Sequence, residues 1–133
     1  LILGNDIREF VKPDGTVDEN NKVLKILTEK DIIAIDQDKL GIQCKRIKAG
    51  LKDILVKPLD NNEVAVCFFN KTSSDSEISC MMSDIHNVTT VALPVSESYK
   101  CVELWDKTEC IVTDKLSTTV RPHGVKIFRI SSL

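Results

Sequence analysis

The hydrophobic pattern of this chain changes period once, around residues 30–41. Before that stretch apolar residues fall at helical spacing, and after it they alternate with polar ones. Ile32, Ile33, Ala34 and Ile35 form an unbroken apolar run, which predicts burial on all sides. Asp36, Gln37 and Asp38 then turn polar ahead of Gly41, whose missing Cβ permits a backbone reversal. The stretch reads as a joint between two regimes, 1–41 and 42–133. Upstream of it, Leu1-Ile2-Leu3-Gly4 has the character of a buried strand end. Pro13, Asp14-Gly15 and Asn20-Asn21 concentrate turn residues and predict a surface loop or short hairpin. Asp18 and Glu19 suit a helix amino end, with Val23, Leu24 and Leu27 on one face and a stop near Thr28. Thr28 is then placed as the amino cap of a second short helix.

Past Gly41 the alternating segments are 44–49, 54–58, 63–70, 77–82, 100–106, 110–113, 116–120 and 124–130. Runs such as Asp60-Asn61-Asn62 and Lys71-Thr72-Ser73-Ser74-Asp75 separate them, as in an antiparallel sandwich of about eight strands. Val64, Val66 and Phe68 interleave with Ala65, Cys67 and Phe69, so this strand is apolar on both faces and belongs at the centre of a sheet. The more polar 116–120 belongs at an edge. Pro122-His123-Gly124 predicts a tight turn into a last strand, with Gly124 free to take positive φ.

A chain of 133 residues can bury roughly two thirds of its unfolded surface, so its core needs neither metal nor disulfide staples. The net charge of -2, from 18 basic and 20 acidic residues interspersed, offers no basic face to nucleic acid. No apolar run reaches the roughly 20 residues that cross a bilayer, so no membrane partner is expected. The chain opens without a methionine and reads as part of something longer. Its five cysteines, Cys44, Cys67, Cys80, Cys101 and Cys110, are odd in number and several lie in apolar strands. They are expected to be reduced and mostly buried, which points to the cytoplasm, with a secreted parent as the other option. No C-x-x-C pair supports zinc.

Chemistry is sparse. Asp36-Gln37-Asp38 with Gly41 would make a calcium loop only if the fifth and twelfth positions could ligate, and these are Leu40 and Ile47. His86 and His123 are far apart, with no activated cysteine or serine beside either. Asn70-Lys71-Thr72 and Asn87-Val88-Thr89 are glycosylation acceptors by pattern. Trp105 ends an alternating strand and is read as a plug rather than an exposed sugar-stacking face.

Several of these residues carry a resemblance. Leu1 to Arg8 and then Lys30 to Gln43 are similar to two runs of the glycoside hydrolase family 27 α-galactosidases. In that family N-D-[IL]-R leaves the last barrel strand, and K-[DE]-[VI]-I-A-I-N-Q-D-P-L-G-x-Q leads into a small β domain. The likeness continues through Val64-Ala65-Val66 with Asn70, Ser83-Asp84-Ile85, Val102-Glu103-Leu104-Trp105 and Val120-Arg121-Pro122-His123-Gly124-Val125. Asp36 stands where Asn is usual, Lys39 where Pro is usual, and the loop from Glu9 to Asn21 is longer. The fold so implied is mainly β. A tail of a (β/α)8 barrel, its last strand and helix, occupies 1–41, and an antiparallel β-sandwich of about eight strands occupies 42–133.

The resemblance implies a parent that hydrolyses terminal α-linked galactose with retention, without cofactor or metal. Such chemistry needs two carboxylates about 5 Å apart, and the family supplies both from earlier barrel strands, so no catalytic residue is expected in this chain. Asp6, at the end of the implied barrel strand, is the one candidate for substrate binding. The alternative is that Asp6 pairs with Arg8 or caps the next helix. The expected partners are the parent barrel, through it an α-galactoside, and a second subunit. A non-catalytic carbohydrate-binding or oligomerisation module is the rival reading, which an aromatic content of 5% does not favour.

Overall fold

The computed structural model describes residues 6–88 and 93–133, which fall into two compact units, one ending at Gln37 and the other beginning at Asp38. The strand expected at 1–4 lies outside the described residues.

The first unit opens with one turn of 3-10 helix, Ile7–Phe10, and a small hairpin follows in which Val11 bridges Val17. Gly15, at φ 83°, makes the reversal there. Helix α1 is Lys22–Leu27, and its amino cap is Asn21, whose side chain accepts from the N–H groups of Val23 and Leu24. The expected start at Asp18 is therefore corrected: Asp18 turns its carboxylate onto the Asn20 N–H instead. Helix α2 is Lys30–Asp36, capped by Glu29. Thr28, expected as that cap, ends α1 and donates its hydroxyl to the Leu24 carbonyl at 2.8 Å. The run Ile32 to Ile35 is helical, and none of it is buried; Phe10 is the one buried side chain of this unit among the described residues. Helices of six and seven residues are too short to enclose four consecutive apolar side chains by themselves.

The second unit is the antiparallel sandwich. Its strands are β1 (Lys45–Lys48), β2 (Lys52–Leu59), β3 (Glu63–Asn70), β4 (Ser76–Met81), β5 (Tyr99–Glu103), β6 (Glu109–Val112), β7 (Lys115–Val120) and β8 (Val125–Ser132). Six of them form one sheet in the order β1-β2-β3-β8-β5-β6, and β4 and β7 form a second. Every pairing is antiparallel. β3 lies inside the large sheet between β2 and β8, where its two apolar faces suit it. β7 has one neighbour, β4, and is an edge. The β2–β3 hairpin turns through Asn61 and Asn62, both at positive φ, where Asn is tolerated far better than branched residues.

One core joins the layers. Ile54, Val56, Val64, Val66, Phe68, Phe128 and Ile130 come from the large sheet, Ile78, Cys80, Leu116 and Val120 from the small one. Phe68 and Phe128 meet edge to face at 5.8 Å and 73°. A third helix, α3 (Met82–Val88), which the strand pattern did not predict, inserts Met82 and Ile85 into this core. Its sequence signal is the three-residue spacing of Met82, Ile85 and Val88 directly after β4.

Two further expectations are corrected. In the 122–124 turn, His123 takes positive φ, at 53°, while Gly124 does not. Glycine fits at 124 because a Cβ there would meet the Arg121 carbonyl oxygen at 3.1 Å, a close approach rather than a left-handed backbone. The cysteines are free, but only Cys80 and Cys101 are buried, Cys67 is partly so, and Cys44 and Cys110 are exposed. Cys110 sits on the outermost strand β6 and Cys44 just before the outermost strand β1, so their neighbourhood is open on one side.

Candidate functional site

Asp6 caps the 3-10 turn by accepting the Arg8 N–H at 3.0 Å, and both its carboxylate oxygens take the Arg8 guanidinium. Those hydrogen bonds hold the Asp6 carboxyl below the usual carboxylate range and raise Arg8 above its own. The group is thus a capped, ion-paired turn on an exposed segment. An ionised carboxylate with both oxygens on a guanidinium can accept further hydrogen bonds from a sugar hydroxyl, but it is no proton donor at neutral pH.

In the sandwich several acidic side chains are engaged in holding strand ends. Asp53, nearly buried, lies 2.6 Å from the Lys71 ammonium and 3.6 Å from Arg46, and accepts the Gly50 N–H. The Lys71 hydrogen bond draws its pKa down against the opposing effect of burial. Glu103, fully buried at the end of β5, accepts the N–H groups of Trp105, Asp106 and Ile127 at 3.0, 2.6 and 3.2 Å. Asp38 accepts the N–H groups of Leu40 and Asp60. Asp106 and Glu109 pair with Lys126 and Lys100. Sequence reading missed the roles of Asp53 and Glu103, because their partners come from strands and turns far along the chain.

Asn70 is the most tightly bound polar side chain. Its amide donates to the carbonyls of Ser74, Val120 and Arg121, and its oxygen accepts from the Thr72 N–H and hydroxyl. Fully buried, the first glycosylation pattern therefore presents no free acceptor nitrogen. Asn87 of the second is exposed, and its Thr89 lies outside the described residues. His86 is in hydrogen-bond contact with the Tyr99 hydroxyl at 3.0 Å, and the same hydroxyl accepts the Ser96 N–H, so this histidine fastens α3 to β5. His123 donates its backbone N–H to Thr72 in the turn already described.

A concavity of about 410 Å³ is bordered by Asp75, Trp105, Asp106, Arg121 and Lys126. Trp105 is half-buried, and its indole N–H is enclosed without a hydrogen-bond partner. Among the described residues no cluster of His, Cys, Asp and Glu could hold a metal ion, and no helix is long and apolar enough to cross a membrane.

The fold defines an antiparallel two-sheet β-sandwich domain, and comparison with known proteins gives it a family. Residues 49–130 match the family described as the alpha-galactosidase C-terminal beta-sandwich domain, and the chain belongs to that family. It is 30% identical to Alpha-galactosidase 2 of Arabidopsis thaliana over 133 residues, covering 98% of this chain and 30% of that protein. It is 32% identical to an alpha-galactosidase of Coffea arabica over 130 residues, covering 96% and 30%. Among solved structures, alpha-galactosidase I of Mortierella vinacea superposes with a TM-score of 0.76 at 24% identity, over 89% of this chain and 31% of that one. A GH27 β-L-arabinopyranosidase of Geobacillus stearothermophilus gives 0.72 at 19%, over 87% and 25%. The structural likeness at these identities speaks for the fold. The chain spans about 30% of the length of the two curated relatives.

Proposed function

We propose that this chain is the C-terminal β domain of a retaining α-galactosidase, supporting a catalytic barrel and leaving the hydrolysis of terminal α-D-galactosyl residues to carboxylates outside these residues. The observation that carries the reading is the family match over 49–130, joined to relatives named alpha-galactosidases of which this chain spans about 30%. The engagement of Asp53, Glu103, Asp106 and Glu109 in cation pairs or backbone bonds supports it, since a glycosidase acid must carry a proton at working pH and its partner must face the anomeric carbon. Ile7, Val17 and Ile26 in the first unit are exposed at 74%, 56% and 56%, apolar surface of the kind a parent barrel would cover. Asp6 is proposed to lie at the rim of the parent's pocket and to contact the sugar as a hydrogen-bond acceptor.

The test is an assay of the purified chain on a chromogenic α-galactoside beside its full-length parent. Loss of a nucleophile and acid/base pair that act as a unit is worth on the order of a million-fold, so no turnover above background is expected from the chain alone while the parent is active. Turnover within about a hundredfold of the parent's would place the active site in these residues and overturn the reading. In the full-length parent, Asp6→Asn should raise KM with kcat little changed, and an unchanged KM would remove Asp6 from the pocket.

A further inference from the structure

Cys101 and Cys110 face each other directly across the β5–β6 pair. The Glu103 N–H donates to the Thr108 carbonyl at 2.8 Å, which makes 103 and 108 a closely hydrogen-bonded pair. Antiparallel rungs alternate, so 101 and 110, two positions along, are a pair of the same kind. Such pairs hold their Cα atoms about 5.5 Å apart, inside the Cα window of a disulfide, and their Cβ atoms, at about 5 Å, need a local shift of up to about 1 Å to bridge. The two thiols also interact, the Cys101 S–H donating to the Cys110 sulfur. Their surroundings differ: Cys101 is fully buried in the core, whereas Cys110 is exposed on the outermost strand, in an open depression of about 550 Å³ bordered by Lys100, Glu109 and Leu133.

We infer that Cys101 and Cys110 form a modification site, a dithiol that a small-molecule disulfide such as oxidised glutathione converts to a cross-strand disulfide fastening the edge strand β6 to β5. The exposed Cys110 reacts first. As thiolate it attacks one sulfur of the oxidant, the S–S bond breaks, and one small thiolate leaves with the proton Cys110 gave up. Cys101 then attacks the Cys110 sulfur of the mixed disulfide, releases the second small thiol and passes its own proton to it. Two protein thiols are oxidised and one small disulfide is reduced. Burial pushes the Cys101 thiol up to about 12, which fixes this order and makes the second step the slower one. The inference stands on the hairpin alone and is independent of the activity proposed for the parent.

The experiment treats the folded chain with oxidised glutathione, quenches it by alkylation in denaturant, and reads intact mass and tryptic peptides. Lys100 and Lys107 bracket Cys101 while Lys107 and Lys115 bracket Cys110, so trypsin places them on separate peptides that only a disulfide joins. Expected are a mass lower by two hydrogens before alkylation, a linked pair carrying Cys101 and Cys110, alkylation of Cys44, Cys67 and Cys80, and full reversal by dithiothreitol. Cys44→Ser should keep the link. Cys110→Ser, at an exposed site that should fold normally, should lose it and leave Cys101 unmodified. Cys110 recovered as a stable glutathione adduct or as free thiol would overturn the inference, and so would Cys101 linked to Cys80.

Discussion

Asn70 offers the sharpest test of how this sandwich is held together. Its amide reaches three carbonyls, those of Ser74, Val120 and Arg121, and its oxygen takes two donors from Thr72. Two of the five links are shared: Arg121 O also accepts from Gly124, and Ser74 O from the Thr72 hydroxyl. Replacing Asn70 with Ala therefore loses the equivalent of about three hydrogen bonds, and at about 1 kcal/mol each the domain should be weaker by about 3 kcal/mol. Asn70→Asp, nearly isosteric, keeps the acceptor that serves Thr72 but turns a carboxylate oxygen toward the three carbonyls. Its penalty at neutral pH should exceed that of Ala by about 1 to 3 kcal/mol.

The two variants also differ in sign with pH. The new carboxyl has its folded pKa raised above the unfolded value of about 3.9, so its destabilisation is complete above the folded pKa and shrinks as pH falls through it. Urea unfolding of wild type, Asn70→Ala and Asn70→Asp at neutral pH and at about pH 5 measures this. The Asp variant should close part of its gap to the Ala variant on acidification. If Asn70→Asp were the more stable of the two at neutral pH, or if its gap widened in acid, the amide would not be donating to those carbonyls.

Phe68→Ala, which empties the edge-to-face contact with Phe128, should cost about 3 to 5 kcal/mol in the same urea measurement, and a loss below about 1 kcal/mol would move the core seam elsewhere. Asp53 has its pKa lowered, chiefly by Lys71, so its contribution is present above the unfolded pKa of about 3.9 and disappears as pH falls through the lower folded value. Asp53→Asn should thus flatten the acid limb of stability against pH, whereas an unchanged limb would remove the Lys71 contact from the account. Gly124→Ala should destabilise by about 1 kcal/mol through the Arg121 carbonyl, while His123→Gly should be neutral or stabilising because it relieves a left-handed backbone. Thermal melts of the pair in the opposite order would contradict the turn as described.

The strands were legible because their physics is local. Alternation and the turn residues around Gly50, Asn61 and Asn70 to Asp75 located all eight, most within one or two residues of the strands in the structure. Helix α3 escaped because it follows β4 without a breaker, and its Met82 and Ile85 resemble the end of an alternating strand. The caps were misplaced for a related reason: Asp18 and Asn21 are both good amino caps, and the choice depends on where the hairpin lets the backbone turn. The isoleucines of α2 were legible as apolar but not as half-buried, since burial depends on what lies beside a helix.

What no local reading reaches is the set of buried polar side chains, and these explain why the sandwich has one register. Asn70 ends β3, Glu103 ends β5 and Asp53 sits near the start of β2, each bonded to a turn or a neighbouring strand. Sliding any of these strands by one residue would turn its polar group to the other face and strand it without partners, while the apolar residues of β3, which lines both faces, would tolerate the shift far better. Burial of apolar area drives this domain to collapse, but it discriminates poorly between registers in a strand that is hydrophobic on both sides. The discrimination falls to Asn70, Asp53 and Glu103, whose hydrogen bonds can be completed in one alignment only. Groups committed in that way hold their strand ends in place.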